Sequence, residues 1–335
     1  MLFRSGQAHE FAPGIPVWGW KIFFAVVFTL LNLQGIKTSA RVNAGLAAGM
    51  SAVVVVVFVT AIRYILGHPH SDPGFFTRPF YDPQTFTVDN LFGCTSLAVL
   101  TYIGFDAIST LSEEAENPKR NILLATVLSC VVIGFLSAAE VYVAQLVWPA
   151  SQPFPDADTA YVYAAARTWA PLFSIVGFTL LVANFGSGMG AQIGAARLLY
   201  GMGRSNALPK SFFGAVDPKH HIPKNNVIFI GVIVLVGSFF LTYGRGIELL
   251  NFGALIAFVG VNASAFMRYF VRAPEKKVMN FIVPVLGSFI CAGLWWNLSV
   301  KAKILGSIWM LVGIAFGVWK TRGFREQLSF EVPPE

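Results

Sequence analysis

The sequence is poor in charge: 335 residues include 24 basic and 17 acidic side chains, together 12% of the chain. Soluble globular proteins carry about 25% charged and about 45–50% apolar residues, whereas this chain is 55% hydrophobic. The shortage of charge excludes an ordinary soluble fold. The excess of apolar residues excludes an intrinsically disordered chain, because such chains are polar.

Cysteine is scarce, and the common nucleotide and metal motifs are missing. Cys94, Cys130 and Cys291 all lie in apolar runs without metal-ligand spacing, which excludes a disulfide scaffold and a zinc site. The sequence has no GxxxxGK[ST] phosphate loop, so ATP-driven chemistry is not supported. The N-terminal segment has no apolar core of a signal peptide. We therefore expect no cofactor and no metal.

Long charge-free apolar runs fill the chain. They do not alternate polar and apolar residues as membrane β-strands do, so the sequence predicts an all-α integral membrane protein. A helix needs roughly 20 apolar residues to cross a bilayer, and we predict about nine crossings. The predicted helices cover about 18–36, 42–66, 89–112, 121–147, 171–199, 226–243, 247–271, 279–298 and 303–320.

The basic residues predict the orientation. One set of alternate loops carries 16 Lys and Arg and the other set carries 8, and the richer side is normally cytoplasmic. The net charge of +7 therefore indicates orientation rather than nucleic-acid binding. The C-terminus and the tail 321–335 are predicted inside, with a cytoplasmic loop at 200–225 and an outer loop at 67–88. That outer loop is either a lid or a connector.

The third predicted helix contains the strongest signal for a functional site. Asp106 lies in an apolar run, where a carboxylate is costly and by default functional, and Gly104 allows the backbone to unwind or a ligand to approach. Unwound helices at mid-membrane expose backbone groups that bind charged substrates. The structural alternative is a packing glycine with Asp106 paired to a neighbouring helix.

Other acidic residues are candidates for coupling or gating. Glu113 and Glu114 precede Pro118 at the cytoplasmic end of this helix; they are either a gate latch or a solvated helix end. Glu140 lies in the fourth helix, within two turns of its outer end. It is either a proton acceptor or a contact for an amine substrate, or else a residue that reaches the outer water layer.

The fifth predicted helix contains Asn184 and Ser187 among several glycines. The glycines allow close helix packing, and the two polar side chains are candidates for substrate contact. Asn251 and Asn262 in the seventh helix are weaker candidates.

Four ordered stretches resemble the amino acid and polyamine permeases of the APC superfamily. TYIGFDAISTLSEEAENPKRNI (101–122) is similar to the signature of family helix six, and NLQGIKTSARVN (32–43) to the link between helices four and five. The segment 196–226 is similar to the region after helix eight, with its Arg-Leu-Leu-Tyr, Leu-Pro and His-x-Pro landmarks. The segment 248–272 resembles helix ten.

This resemblance implies the LeuT-like inverted-repeat fold, in which twelve helices include a broken helix one and a broken helix six. The nine predicted helices then match family helices four to twelve, which implies a permease domain over 1–335 that is incomplete at its N-terminus, with a helix break near Gly104. Helix six of the family binds the amino group of the substrate, and helix eight borders the same region. The substrate-binding positions implied here are Leu100, Thr101, Ile103, Gly104, Phe105, Asp106, Asn184 and Ser187.

Two departures from the family pattern bear on mechanism. Many members carry a coupling lysine in helix five, where this chain has Gly49 or Met50. The usual Arg-Asp-Gly after helix eight is replaced by Arg204, Ser205 and Asn206. Lysine-based coupling and one loop contact are therefore in doubt.

The expected function is secondary active transport of amino acids or polyamines across the plasma membrane, by proton symport or substrate exchange. The expected partners are the small-molecule substrate, the lipid bilayer and a coupling ion, the proton. The alternatives are a truncated, non-transporting permease fragment and a membrane enzyme, although no clustered acid, base or metal set is visible.

Overall fold

The computed structural model describes residues 14–34, 40–68, 72–111, 115–148, 152–156, 158–218 and 222–323, and this part of the chain is helical without strands. The helices are α1 (Val17–Leu33), α2 (Ala40–Gly67), α3 (Val88–Ala98), α4 (Pro118–Val147), α5 (Ala160–Thr168), α6 (Leu172–Arg204), α7 (Lys210–Phe213), α8 (Lys224–Phe240), α9 (Tyr243–Phe266), α10 (Val278–Trp296) and α11 (Val300–Lys320).

The all-α membrane architecture is confirmed. Six helices are long and apolar enough to cross a bilayer, namely α2, α4, α6, α9 with its π-helical extension Met267–Val271, α10 and α11. Three shorter apolar helices, α1, α3 and α8, occupy the other predicted positions. Because these three are shorter than the roughly 20 residues typical of a full span, nine crossings remain a prediction.

Two short helices fall outside the predicted set. α5 has nine residues and α7 has four, so neither produces a run of apolar residues as long as a membrane span. α5 is held by packing: Val162, Ala164 and Ala165 are buried. Val162 and Ala165 belong to a core with Val57 of α2 and Leu172 of α6. The predicted tail lies mostly in 324–335, outside the described residues.

The chain divides into two compact units. Unit 1 comprises 1–69, 147–243 and 313–335, and unit 2 comprises 70–146 and 244–312. Each unit therefore combines segments that are distant in sequence. The first part of α11 belongs to unit 2 and its last part to unit 1.

In unit 1, aromatic residues of α1 pack against α6. Phe24 and Phe28 are almost completely buried, and their ring centroids lie 5.6 Å and 4.7 Å from that of Phe185, both edge to face. Edge-to-face pairs add to the stabilisation from buried area, so α1 is fixed by shape as well as by hydrophobicity.

A buried polar network connects α1, α6 and α8 inside the same unit. Asn32 Nδ2 donates to Gln192 Oε1 at 2.9 Å, while Gln192 Nε2 donates to Thr29 Oγ1 at 3.0 Å and to the carbonyl oxygen of Val227 at 3.1 Å. Gly231 of α8 faces this network without a side chain, which gives Thr29 and Gln192 their space. The network sets the distance between the three helices.

We expect Gly231→Ala to destabilise the protein, since its Cβ would meet Thr29 Oγ1 and lie 3.1 Å from Gln192 Nε2. Overpacking of this kind costs about 1–3 kcal/mol. The matched control is Gly237→Ala on the same helix, where nothing lies within 4 Å of the new Cβ. Thermal unfolding in detergent should show a lower Tm for Gly231→Ala alone, and equal Tm values would contradict the close packing.

Candidate functional site

The third helix breaks where the sequence predicts a break. The α-helical part ends at Ala98, a 3₁₀ turn covers Val99–Thr101, and a second 3₁₀ segment covers Phe105–Leu111. Between them Gly104 has a φ of +123°, a conformation that side chains with a Cβ rarely adopt. The glycine is therefore required by the backbone at this point.

The break leaves backbone carbonyl groups without helical partners. Around it, the amides of Tyr102, Ile103 and Phe105 bond to carbonyls three residues earlier. Within the described part of the chain, no hydrogen bond is directed at the carbonyl oxygens of Thr101 or Ile103. These two acceptors are therefore available to a ligand that carries N–H groups.

α9 and α10 support the helical side of the break. Asn251 of α9 is fully buried, and its Nδ2 donates to the carbonyl oxygens of Ser96 at 2.8 Å and Leu97 at 3.4 Å. The Ser96 hydroxyl lies 2.8 Å from the carbonyl oxygen of Leu294 in the last turn of α10. Carbonyls at helix ends need such outside donors, so the break is a supported feature of unit 2.

The carboxylate of Asp106 accepts a hydrogen bond from the backbone within the break. Its Oδ1 accepts a hydrogen bond from the amide of Gly104 at 3.1 Å, and its side chain is exposed. In the described residues it has no partner on a neighbouring helix, so the expected alternative of a cross-helix pair is not observed there. The carboxylate both caps the turn and places negative charge beside the free carbonyls.

The remaining predicted residues of this helix differ in how far they are exposed. Leu100, Ile103 and Phe105 are half-buried, whereas Thr101 and Gly104 are exposed. The Phe105 ring lies 5.4 Å from the ring of Phe258 on α9. The turn is thus exposed at Thr101 and Gly104, while Phe105 packs against α9.

Three residues of α9 support the break. Of these, the sequence predicts only Asn251 as a functional residue, and as a weak candidate. Asn251, Leu255 and Phe258 follow at intervals of four and three, so they share one face of the helix. Leu255 is 1% exposed and packs in the core that includes Phe252 and Leu294. The sequence signal that could have identified Asn251 is an amide side chain on a helix face that is otherwise apolar.

Asn184 and Ser187 lie on α6 in unit 1. Asn184 is half-buried, and the exposed Ser187 hydroxyl lies 3.3 Å from the backbone carbonyl oxygen of Asn184. The other predicted residues are in unit 2. The part of these two side chains in a common site therefore remains a prediction.

The gating and coupling candidates are described unequally. Glu113 and Glu114 lie outside the described residues. Glu140 is half-buried in α4, seven residues before its end at Val147, with no hydrogen bond or ion pair to the rest of the described chain. The part of Glu140 in proton coupling therefore stays a prediction.

The loop after α6 keeps a tight turn despite its departure from the family pattern. Asn206 has a φ of +59° at the position where the family usually has glycine. Asparagine adopts this left-handed conformation more readily than most residues. The substitution therefore preserves the direction of the chain.

The segment 72–87, which the sequence predicts as part of an outer loop, contacts α4. The Tyr142 hydroxyl donates to the carbonyl oxygen of Phe76 at 3.0 Å, and the Tyr142 and Phe80 rings lie 4.9 Å apart. Arg78 and Asp72 form an ion pair at 2.8 Å. These contacts give the segment 72–87 a defined position, whether it acts as a lid or as a connector.

The segment between α4 and α5 contains an acidic pair. Partial burial raises the pKa of Asp158 above its usual value, and the charge of Asp156 adds to this effect. Because the folded pKa exceeds the unfolded one, the charge of Asp158 lowers stability as pH rises through that interval. Low pH therefore favours this loop conformation.

Gly104→Ala tests the backbone of the break. A Cβ at this φ should cost about 1–3 kcal/mol and lower the Tm in detergent. Gly93→Ala in regular α3 is the control; nothing lies within 4 Å of its Cβ, and alanine favours a helix by about 1 kcal/mol over glycine. If the two variants melted at the same temperature, Gly104 would not need its positive φ.

Comparison with known proteins identifies the family of this chain. A family model described as "Amino acid permease" matches residues 6–324. The low-affinity putrescine importer PlaP of Escherichia coli (strain K12) is 31% identical over 97% of this chain and 73% of its own length.

Other relatives are more distant. The branched-chain amino acid permease BcaP of Lactococcus lactis is 26% identical over 85% of this chain and 62% of its own length. The chloroplastic cationic amino acid transporter 6 of Arabidopsis thaliana is 25% identical over 84% of this chain and 48% of its own length. This chain is therefore a multi-pass integral membrane protein and belongs to the amino acid permease family, within the APC group of transporters.

Proposed function

We propose that this protein carries amino acids or polyamines across the plasma membrane as a secondary transporter that works by alternating access. The observation that carries the proposal is the broken third helix, where two carbonyl acceptors and a carboxylate lie together in an otherwise apolar helix. Membership in the permease family and the names of its relatives support the substrate classes.

The chemistry of the break suits the amino group that these substrates share. An ammonium group offers three N–H donors, and it needs acceptors when it leaves water. The carbonyls of Thr101 and Ile103 supply two acceptors, and Asp106 supplies a counter-charge. We assign Leu100, Thr101, Ile103, Gly104, Phe105 and Asp106 to the substrate site, with Asn184 and Ser187 as further contacts.

Charge favours a cationic substrate at this half of the site. Asp106 lies beside the free carbonyls, and all of these groups are negative or partially negative. Putrescine, the substrate named for PlaP, carries an ammonium group at each end, whereas a branched-chain amino acid, as named for BcaP, adds a carboxylate. We therefore infer that a polyamine or a cationic amino acid binds more tightly here than a neutral amino acid.

The proposed energy source is a proton gradient or substrate exchange. Glu140 is the candidate proton acceptor, since it is half-buried and unpartnered in the described part of the protein. Asp106 can contribute to coupling or gating through its charge, and Glu113 and Glu114 are proposed as a cytoplasmic latch. The excess of basic residues in one set of loops supports a cytoplasmic C-terminus.

Uptake by the Asp106→Asn variant separates charge from structure. Asparagine keeps an oxygen that can accept from the Gly104 amide, but it removes the negative charge. Hydrogen bonds to charged groups contribute about 1.5–3 kcal/mol, so we expect putrescine uptake to fall at least about tenfold with little change in Tm. The measurement is uptake of labelled putrescine and leucine into proteoliposomes, with and without a pH gradient.

The matched control is Asp89→Asn, which removes an exposed carboxylate from the first turn of the same helix. It should transport as the unchanged protein does. Equal uptake by the two variants would rule out Asp106 as a substrate contact. The assay should compare the chain that begins at Met1 with the chain extended by any residues encoded upstream. This comparison tests the alternative hypothesis that the chain beginning at Met1 is a non-transporting permease fragment.

A further inference from the structure

The side chain of Tyr102 extends from the break to α4, and both belong to unit 2. A Cβ built at Gly134 on α4 would lie 2.5 Å from the Tyr102 hydroxyl oxygen, and 3.4 Å and 3.5 Å from the ring carbons Cζ and Cε1. The first distance is far inside van der Waals contact. The hydroxyl therefore fills a gap on α4 that exists because residue 134 has no side chain.

A second contact supports this arrangement of α4. The Tyr142 hydroxyl, eight residues after Gly134 on the same helix, donates to the carbonyl oxygen of Phe76 at 3.0 Å, in the segment that leads into α3. Tyr102, beyond the other end of α3, meets the earlier position on α4. α4 therefore runs back along the chain segment that ends at the break.

The backbone of Tyr102 joins the two free carbonyl groups. Its amide donates to the carbonyl oxygen of Val99 at 3.0 Å, and its own carbonyl oxygen accepts from the amide of Phe105 at 3.2 Å. The free carbonyls belong to the residues on either side, Thr101 and Ile103. Because a peptide group is planar, the carbonyl of Thr101 cannot turn without the amide of Tyr102. The direction of the acceptors therefore depends on where Tyr102 is held.

The contact between Tyr102 and Gly134 is one of shape. The Tyr102 hydroxyl makes no hydrogen bond to the described residues, and the residue is 38% exposed, so it is not enclosed in a core. The surface of α4 at Gly134 limits where the end of the ring can lie. A group added at this point would move the ring, and the ring would move the backbone of the break.

We propose that Tyr102 is a positioning residue for the substrate site, with Gly134 as the seat for its ring. The ring on its seat holds the carbonyls of Thr101 and Ile103 in the geometry that binds the substrate. The inference rests on the proposed function of the break. It gives α4, which supplies none of the assigned substrate contacts, a part in substrate affinity. α4 also carries Glu140, the proposed proton acceptor, so the coupling helix contacts the substrate site through this seat.

Gly134→Ala tests the seat. The added methyl group should displace the ring and the acceptors, so we expect the KM for putrescine to rise about tenfold, as for the loss of one hydrogen bond to a charged group. The maximal rate should change little, because weaker binding alone raises KM, whereas loss of folded protein lowers the maximal rate. The measurement is initial uptake of labelled putrescine into proteoliposomes over a range of concentrations. Gly93→Ala, with nothing within 4 Å of its Cβ, is the control.

Tyr102→Phe in the Gly134→Ala background tests the same contact from its other side. Without the hydroxyl oxygen, the atoms nearest the new methyl group are the ring carbons at 3.4 Å and 3.5 Å, close to the ordinary distance between carbon atoms in contact. We therefore expect phenylalanine to restore most of the lost affinity. Tyr81→Phe removes the hydroxyl of an exposed tyrosine in the segment 72–87, and it should restore none in the same background.

Tyr102→Leu provides an independent measurement if Gly134→Ala does not fold. Leucine adds no atoms at the seat and is too short to reach it, so the turn loses its support without a clash. The KM should rise for both putrescine and leucine, because both carry the ammonium group that the carbonyls bind.

Three results would overturn the proposal in a protein that still transports putrescine. They are equal KM values for Gly134→Ala and Gly93→Ala, a Gly134→Ala defect that Tyr102→Phe leaves unchanged, and an unaltered KM for Tyr102→Leu. If the unchanged protein, extended by any residues encoded upstream, transports neither putrescine nor leucine, the proposed function fails and the inference fails with it.

Discussion

The satisfaction of backbone hydrogen bonds at the break in α3 is the constraint on which unit 2 depends. A bilayer offers no water to carbonyl and amide groups, so an unpaired group there costs several kcal/mol. Asn251 supplies donors to the last helical carbonyls, and Ser96 ties the same turn to α10. Because these contacts stabilise the helical end, the carbonyls of Thr101 and Ile103 can remain free for a ligand without loss of the fold.

Unit 1 uses buried polar groups for the opposite purpose. Asn32, Thr29 and Gln192 bond to one another and to the backbone, which fixes α1, α6 and α8 around regular helical backbone. Hydrogen-bonded networks in a low-dielectric interior specify one arrangement, since partial satisfaction is costly. Polar side chains therefore hold regular helices together in unit 1, and they stabilise a helix break in unit 2.

Sequence reasoning located the features with strong local signals. Apolar runs placed the long helices because burial in lipid requires them, and Gly104 beside Asp106 marked the break because glycine and a carboxylate are both costly in an apolar helix. Asn251 was ranked low because its importance depends on Ser96, which lies 155 residues away. The hydrogen bond from the Gly104 amide to the Asp106 carboxylate was not predicted either, since the one protein partner considered for Asp106 was on a neighbouring helix. α5 was missed because its stability comes from packing on α2 and α6.

The central claim is that the free backbone at the break contacts the substrate. Its most direct test is cysteine labelling in a chain whose three native cysteines are replaced, with a single cysteine at Thr101 or, as the control, at Thr85 in the outer loop; both positions are exposed. Maleimide modification is followed with and without saturating putrescine or leucine. The account predicts that substrate slows labelling at position 101 and leaves position 85 unchanged. Equal rates at position 101 with and without either substrate would contradict it.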